Sequence, residues 1–309
     1  MYRILCMISC IAMLFSQEIK PVKDVSLVIL GTVQDAGSPQ IGCKKVCCKK
    51  VFKTPDQKRK VVSLGVLDPT ENKSYIFEAT PDFTTQTRHL NMYLKNHPET
   101  PDGVFLTHAH IGHYTGLMYL GKEAMNANAT PVYAMPKMET FLKTNGPWSQ
   151  LVKRKNIELK PMKNKQEIRL TSHLRVTPLR VPHRDEYSET VGYIISGPKK
   201  RALFIPDIDK WEKWATPIED VIKTVDYAFL DATFFDGEEI NTRNISEIPH
   251  PFVIESMERF RTLSKNEKMK VYFIHFNHTN PLLHSESKQS KRVLNAGFNI
   301  ARMNDVFSL

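Results

Sequence analysis

The segment His-Ala-His-Ile-Gly-His constrains this chain more than any other, because it places His108, His110 and His113 within six residues. It follows the apolar run Val-Phe-Leu-Thr at 104–107, which predicts a buried strand. A short loop after a buried strand can aim several imidazole nitrogens at one point, as a metal ion requires. The sequence therefore predicts a metal site at the carboxyl end of this strand.

Other strand-like runs also end at a histidine or an aspartate. These residues are His183, Asp207, Asp231 and His275, and His278 follows three residues after His275. One such residue alone would be weak evidence, because a single histidine at a strand end is more often a packed or surface group. Several in order along the chain are difficult to explain by packing, and imidazole with carboxylate suits zinc, iron or manganese.

Strand-like runs alternate with helical patterns along the chain. Strands are predicted at 25–30, 61–67, 74–77, 103–106, 131–134, 174–179, 190–195, 202–205, 227–230 and 271–274. Helices are predicted at 117–126, 137–144, 251–263 and 285–296. This mixture predicts an α/β fold of packed layers. We expect residues 25–309 to form a single domain, because no internal repeat or Pro/Gly-rich linker interrupts them.

Residues 1–16 predict a signal peptide. Arg3 precedes a short apolar run at 4–15, and cleavage before Gln17 would fit the small residue Ser16. The alternative is an uncleaved N-terminal anchor, although the run is short for a membrane span. We therefore expect an exported protein, periplasmic in a Gram-negative host, without a stable membrane span.

Cleavage would leave only Cys43, Cys47 and Cys48, all within six residues. An odd, tight cluster suits a metal site better than a disulfide framework, and a disulfide between adjacent cysteines would be strained. Structural zinc commonly takes three cysteines and a histidine, so a distant histidine would complete the site. The alternative is a set of idle or oxidised thiols.

The formal net charge of +10 depends strongly on the basic stretch at 44–60. Basic surfaces can attract nucleic acid, anionic lipid or phosphorylated substrates. The stretch has no nucleic-acid motif and no interleaved aromatic residues, so we expect a solvated basic loop. We expect the partner to be a small molecule, with anionic ones as candidates, and we expect no nucleic-acid partner. The sequence leaves the oligomeric state open.

The order of these motifs resembles the metallo-β-lactamase fold superfamily, with its His-x-His-x-Asp-His motif followed by a single His, an Asp after a strand and a late His. The resemblance covers about 25–309 and implies an αββα sandwich with metals at one edge of the two sheets. It implies a first metal at His108, His110 and His183, and a second at His113 and His275, with Asp207 bridging the two. The superfamily's acidic residue after an early strand corresponds to Glu78.

Gly112 departs from the superfamily motif, which has a metal-binding aspartate at this position. Loss of one carboxylate ligand should weaken the second metal by roughly 10–100-fold or more. The residues that could replace it as ligand or base are Asp207, Asp209, Asp231 and Asp82. Asp207 and Asp231 are the catalytic candidates.

Finer features resemble the pyrroloquinoline quinone biosynthesis protein B (PqqB) family, and they lie at 30–43, 79–82, 115–117, 230–234 and 275–281. A cyclic-phosphate phosphodiesterase of phosphonate breakdown is similar in the same regions, and it binds a structural zinc through a cysteine cluster and a histidine. The resemblance implies a structural zinc at Cys43, Cys47, Cys48 and His278. The spacing C-x3-C-C differs from the family's C-x-C-x2-C, so the choice between Cys47 and Cys48 stays open.

Three functions fit this sequence. The main expectation is an exported zinc-dependent hydrolase of an ester or phosphodiester, with one or two catalytic zincs and one structural zinc, in which a metal-bound hydroxide attacks the substrate. The second is a PqqB-like, iron-dependent oxygenation of a tyrosine-derived precursor. Gly112 suits that family, whose members depart from the histidine motif, but export argues against biosynthesis in the cytosol. The third is a non-catalytic metal-binding protein. His250 is either a cleft residue or a helix-entry residue.

Overall fold

Two seven-stranded sheets form the centre of the computed structural model, which describes residues 19–240 and 245–309. The predicted signal peptide at 1–16 lies outside these residues. The strands are Ser26–Gly31 (β1), Ser63–Asp68 (β2), Lys73–Phe77 (β3), Gly103–Phe105 (β4), Thr130–Ala134 (β5), Ile157–Pro161 (β6), Ile168–Arg169 (β7), Arg175–Arg180 (β8), Val191–Ser196 (β9), Arg201–Ile205 (β10), Tyr227–Asp231 (β11), Val271–Ile274 (β12), Asn299–Ile300 (β13) and Val306–Ser308 (β14). The strand orders are β14-β1-β2-β3-β4-β5-β6 and β13-β12-β11-β10-β9-β8-β7.

Most of the helices pack on the outer faces of the sheets. They are Val46–Lys53 (α1), Phe83–Asn91 (α2), Ile111–Tyr114 (α3), Pro136–Thr144 (α4), Trp148–Lys153 (α5), Ile218–Lys223 (α6), Val253–Arg259 (α7), Lys265–Lys268 (α8) and Lys288–Asn295 (α9). Within the two described stretches, no helix is both long and apolar enough to cross a membrane.

Three apolar clusters show the layering. The central cluster lies between the sheets and includes Phe77 and Phe105 of the first sheet and Phe204 of the second. A second cluster joins the outer face of the first sheet to α2, α4 and α5, and a third joins the outer face of the second sheet to α6, α7 and α9. Each sheet therefore buries both faces, which confirms the predicted αββα sandwich.

Several predicted elements differ from the structure. The helix predicted at 117–126 is a 3-10 turn at Thr115–Leu120, because glycines stand within it and directly after it and its Gly116 packs against backbone atoms of Thr80 and Ala79. The predicted basic loop contains α1, whose Cys48 and Val51 are buried while its lysines face solvent. The strands β6, β7, β13 and β14 were not predicted, and β7 and β13 are only two residues long.

Candidate metal centre

The second sheet holds the loop that carries the histidine cluster. The Tyr193 hydroxyl donates a hydrogen bond to the Leu106 carbonyl at the end of β4. The Val191 amide donates to the Thr107 carbonyl (3.1 Å), and the Ser188 hydroxyl accepts from the Ala109 amide (2.8 Å). The three contacts fix the backbone on both sides of His108.

Neighbouring side chains orient the histidines of this loop. Thr107 Oγ1 lies 2.9 Å from His108 Nδ1, which turns His108 Nε2 towards Asp207, 3.4 Å away. His113 lies on α3, and its carbonyl accepts a hydrogen bond from the Ala79 amide (3.0 Å). His108 and His113 are both fully buried.

Asp207 occupies the centre of the site. Its carboxylate oxygens lie 3.3 Å from His183 Nε2, 3.8 Å from His113 Nε2 and 3.2 Å from His250 Nδ1. Burial opposes ionisation of Asp207, but the surrounding imidazoles of His250 and His183 outweigh it and hold its pKa well below the ordinary value. Asp207 is therefore an anion to which several nitrogens point.

The candidate ligand atoms form overlapping groups, within each of which all atoms lie within 4.8 Å of one another. The groups are His108, His110, His183 and Asp207; Asp35, His113 and His275; and Asp207, Asp231, His250 and His275. The structure thus brings together all six residues predicted for the active-site metals. The role of each as a ligand remains a prediction.

The unpaired atoms of this cleft fit a metal. Among the residues that the structure describes, His108 Nε2, His275 Nε2 and both ring nitrogens of His113 and His183 are buried without a hydrogen-bond partner. Buried polar atoms are nearly always paired, so this concentration calls for an additional partner. Unpaired imidazole nitrogens beside a carboxylate suit zinc or iron.

Protonation also favours metal binding at the first group. Burial lowers the pKa of His108, His110 and His183, so these imidazoles are neutral, as ligands must be. Burial also lowers the pKa of His113, but the nearby carboxylates, Glu78 foremost, outweigh it and raise the value to about 9. A cation bound there would displace that proton.

Asp231 belongs to one of the candidate ligand groups and is also held by hydrogen bonds. One oxygen accepts hydrogen bonds from the amide and hydroxyl of Thr233 (3.0 and 2.7 Å), and the other accepts from His250 Nδ1 (2.9 Å). The Thr233 hydroxyl also lies 2.8 Å from His275 Nδ1, which leaves His275 Nε2 to face the cleft. Asp231 therefore positions two histidines, His250 and His275, and its catalytic role stays a prediction.

His250 combines the two sequence interpretations, because it contacts Asp207 and Asp231 and also stands three residues before α7. Burial lowers its pKa, but the carboxylates of Asp231 and Asp207 outweigh burial and raise the value to about 10. His250 is thus a buried cation between two anions. The flanking Ile-Pro and Pro did not indicate this role, because the two partners, Asp207 and Asp231, are distant in the sequence and stand at strand ends.

Two cleft residues have left-handed backbone conformations. Glu78 has φ 80° and His275 has φ 69°, a region that residues other than glycine seldom occupy. Glu78 is fully buried and lies 3.5 Å from His113 Nδ1. Strained backbone of this kind concentrates at functional sites, in agreement with the assignment of the cleft.

Two of the carboxylates considered as replacements at Gly112 are engaged elsewhere. Asp82 accepts hydrogen bonds from the Val61 amide (2.8 Å) and from Lys60. Asp209 pairs with Lys213 (2.7 Å). Asp207 is the only one of the four candidates to contact His108, and Asp35, which sequence reasoning missed, lies beside His113 and His275.

The cysteine cluster forms a second candidate metal site. Ligand atoms of Cys43, Cys47, Cys48 and His278 all lie within 4.8 Å of one another. Burial and nearby Lys45 lower the pKa of His278, so its imidazole is neutral. Both Cys47 and Cys48 are within reach, and a four-ligand Cys3His set is typical of structural zinc.

His110 lies on the solvent side of the candidate metal centre. Its Nε2 lies 3.3 Å from the Glu186 carboxylate, and Glu186 lines a groove together with Lys137, Phe141 and Tyr187. The rings of Phe141 and Tyr187 have centroids 5.7 Å apart, and Tyr187 is 66% exposed. The groove thus offers aromatic faces and both signs of charge beside a candidate ligand.

The fold and this cleft define the class of protein, and a family model for the beta-lactamase superfamily domain matches residues 73–276. The chain belongs to the beta-lactamase superfamily. Within it the chain lies in a PqqB-like branch. It is 22% identical to coenzyme PQQ synthesis protein B of Nitrosococcus oceani, covering 88% of this chain and 96% of that protein. The corresponding protein of Gluconobacter oxydans is 23% identical, covering 92% and 99%.

Solved structures share the fold of this chain. Zinc-bound PqqB from Methylobacterium extorquens has a TM-score of 0.75 and 20% identity, covering 92% of this chain and all of that one. A diphosphatase from the PhnP family has a TM-score of 0.64 and 21% identity, covering 92% and 97%. At these identities the structures establish the shared fold.

Proposed function

We propose that this chain is a metal-dependent enzyme of the PqqB-like branch that oxygenates a small aromatic compound at an iron centre. The observation that carries the proposal is the groove of Phe141 and Tyr187 beside His110, because exposed aromatic rings favour an aromatic substrate. The likeness to proteins of coenzyme PQQ synthesis along most of the chain supports the same reaction class.

Different residues of the chain would bind the metal, bind the substrate and hold a proton. His108, His110, His183 and Asp207 would hold iron, and bound iron would supply the oxygen chemistry. The groove would stack the substrate ring, and Lys137 and Glu186 would orient its polar groups. His250 would hold a proton at Nδ1 between Asp207 and Asp231, close to the reacting centre.

The test is oxygen uptake by iron-loaded protein, with tyrosine and catechol compounds as substrates and ascorbate as the reductant for the second oxygen atom. We expect substrate-dependent uptake by wild type and at least a 100-fold loss in His110→Ala. Equal uptake by the two proteins, or no uptake with any such substrate, would reject oxygenation.

A second candidate, zinc-dependent hydrolysis of an ester or phosphodiester, is favoured by the three neutral imidazoles of His108, His110 and His183. Three histidines are a common protein ligand set of catalytic zinc, and zinc lowers the pKa of bound water to about 7. Zinc-loaded wild type should then hydrolyse bis(p-nitrophenyl) phosphate, and His110→Ala should not. Full metal content without either activity would favour the third candidate, a non-catalytic metal-binding protein.

Export also separates the two reactions. We propose that cleavage before Gln17 releases the mature protein, which suits a hydrolase outside the cytosol better than cofactor biosynthesis within it. N-terminal sequencing of protein from fractionated host cells tests this directly. A chain starting at Gln17 in the periplasm would favour hydrolysis, and full-length cytosolic protein would favour oxygenation.

A further inference from the structure

Asp35 supplies a carboxylate to the side of the cleft where Gly112 lacks one. A ligand oxygen of Asp35 and ligand nitrogens of His113 and His275 all lie within 4.8 Å of one another. Asp35 follows β1, far along the chain from both histidines. The sequence around Asp35 contains no histidine, so no local motif marks it.

Asp35 also occupies the space of a side chain at position 112. A Cβ built on Gly112 would lie 2.3 Å from Asp35 Cβ and 2.6 Å from Asp35 Cα. Real Cβ contacts are never this short, so a side chain at 112 and the present position of Asp35 exclude each other. The Asp35 side chain therefore comes from the loop after β1, and its Cβ fills the space that a Cβ at position 112 in α3 would take.

Backbone hydrogen bonds hold the Asp35 loop against His275. The Gln34 amide donates to the Phe276 carbonyl, and the Phe276 amide donates to the Thr32 carbonyl, each at 2.8 Å. The Gln34 side-chain amide donates to Asp35 Oδ1. These bonds thus hold the Asp35 loop and the end of the strand before His275 in a fixed relative position. The two side chains are therefore pre-organised.

Both histidines in this group have ring nitrogens that are available to a metal ion. His275 Nδ1 is engaged by Thr233, while among the described residues its Nε2 and both nitrogens of His113 are buried without a hydrogen-bond partner. Two imidazoles and one carboxylate are a ligand set for zinc, iron or manganese.

We propose that Asp35, with His113 and His275, holds a second metal next to Asp207, and that Asp35 thereby replaces the motif aspartate missing at Gly112. This inference rests on the proposed metal-dependent function only in requiring a metal in the cleft. It holds equally for oxygenation and hydrolysis.

The test is metal content per chain, by element, in protein reconstituted with zinc and freed of loose metal. Wild type is expected to retain three zincs: one at the cysteines, one at His108, His110 and His183, and one at Asp35, His113 and His275. Asp35→Asn should retain two, with affinity for the third lowered at least about 10–100-fold. Asp56→Asn is the matched control, since Asp56 lies in a nearby loop and pairs with Arg59; it should retain three.

Cobalt substitution identifies which metal is lost, because cobalt at the cysteines gives a thiolate absorption band and cobalt in the cleft does not. Asp35→Asn should keep that band and lose one cleft cobalt. Three metals in Asp35→Asn, two in wild type, or loss of all three together would each overturn the proposal. Selective loss of the third metal in Asp231→Asn instead of Asp35→Asn would also overturn it. Wild type that retains three metals but shows no oxygen uptake when loaded with iron would reject the proposed function while leaving this inference standing.

Discussion

Tyr193 on β9 donates a hydrogen bond to the carbonyl of Leu106 at the end of β4, so that one sheet supports the histidine-bearing loop of the other. Tyr193 is fully buried. The contact links the central core to the candidate metal centre, because the histidine cluster begins two residues after Leu106.

Tyr193→Phe should therefore weaken both stability and metal binding. A buried carbonyl left without its donor costs about 1–3 kcal/mol, and the loop around His108 loses one of its fixed points. Thermal unfolding and zinc titration of the cleft measure the two effects. Tyr75→Phe is the control, because the Tyr75 hydroxyl also donates to a backbone carbonyl, that of Leu170 (3.3 Å), away from the cleft. It should cost stability without changing cleft affinity, and identical behaviour of the two variants would contradict the link.

Gly112→Ala should destabilise the protein by about 1–3 kcal/mol, the usual cost of overpacking. Its new Cβ meets the Cα and carbonyl oxygen of Asp35 at 2.6 Å, and these backbone atoms cannot move aside as a flexible side chain can. The shift should also reduce the metal content of the cleft. Chemical denaturation and elemental analysis measure the two effects, with Gly146→Ala as control, since a Cβ there meets nothing within 4 Å. Equal stability of the two variants would refute the close packing at Gly112.

Stability should fall between about pH 5 and 8 because of Glu239. Burial raises the pKa of its carboxyl to about 7 against an ordinary value of 4.5. The folded state therefore binds this proton more tightly than the unfolded state, so the stabilisation is complete below about pH 4.5 and is lost as pH rises through 7. Glu239→Gln, compared with the exposed neighbour Glu238→Gln, should flatten the fall in Tm across this range. A wild-type profile parallel to that of Glu239→Gln would contradict the prediction.

His278→Ala should remove one zinc per chain and lower the Tm, because a structural zinc contributes folding free energy. His278 belongs to the Cys43, Cys47 and Cys48 group. His284→Ala is the control, since His284 is an exposed histidine six residues further along the chain and outside that group. Elemental analysis of both variants decides the matter, and unchanged zinc in His278→Ala would remove His278 from the site.

His250→Gln should lower kcat about 10²–10⁴-fold, the usual contribution of a positioned proton donor, while the metal content stays unchanged. The imidazolium lies between Asp207 (3.2 Å) and Asp231 (2.9 Å), and glutamine keeps a donor but carries no transferable proton. Turnover and elemental analysis of the same preparation are the measurements. An unchanged kcat would assign His250 a structural role.

The sequence by itself determined the α/β class and the strand-end positions of most candidate ligands, and the superfamily resemblance implied the sandwich. Residues such as His108, Asp207 and His275 stand directly after apolar β-branched runs, and that local pattern fixes them at strand ends, where a sheet edge gathers them. Only the tertiary structure decided the place of Asp35 and the role of His250. Asp35 reaches the histidines because the segments that follow β1 and β12 meet at the Val33–Phe276 bridge. Such pairing depends on the packing of distant segments, and no local periodicity records it.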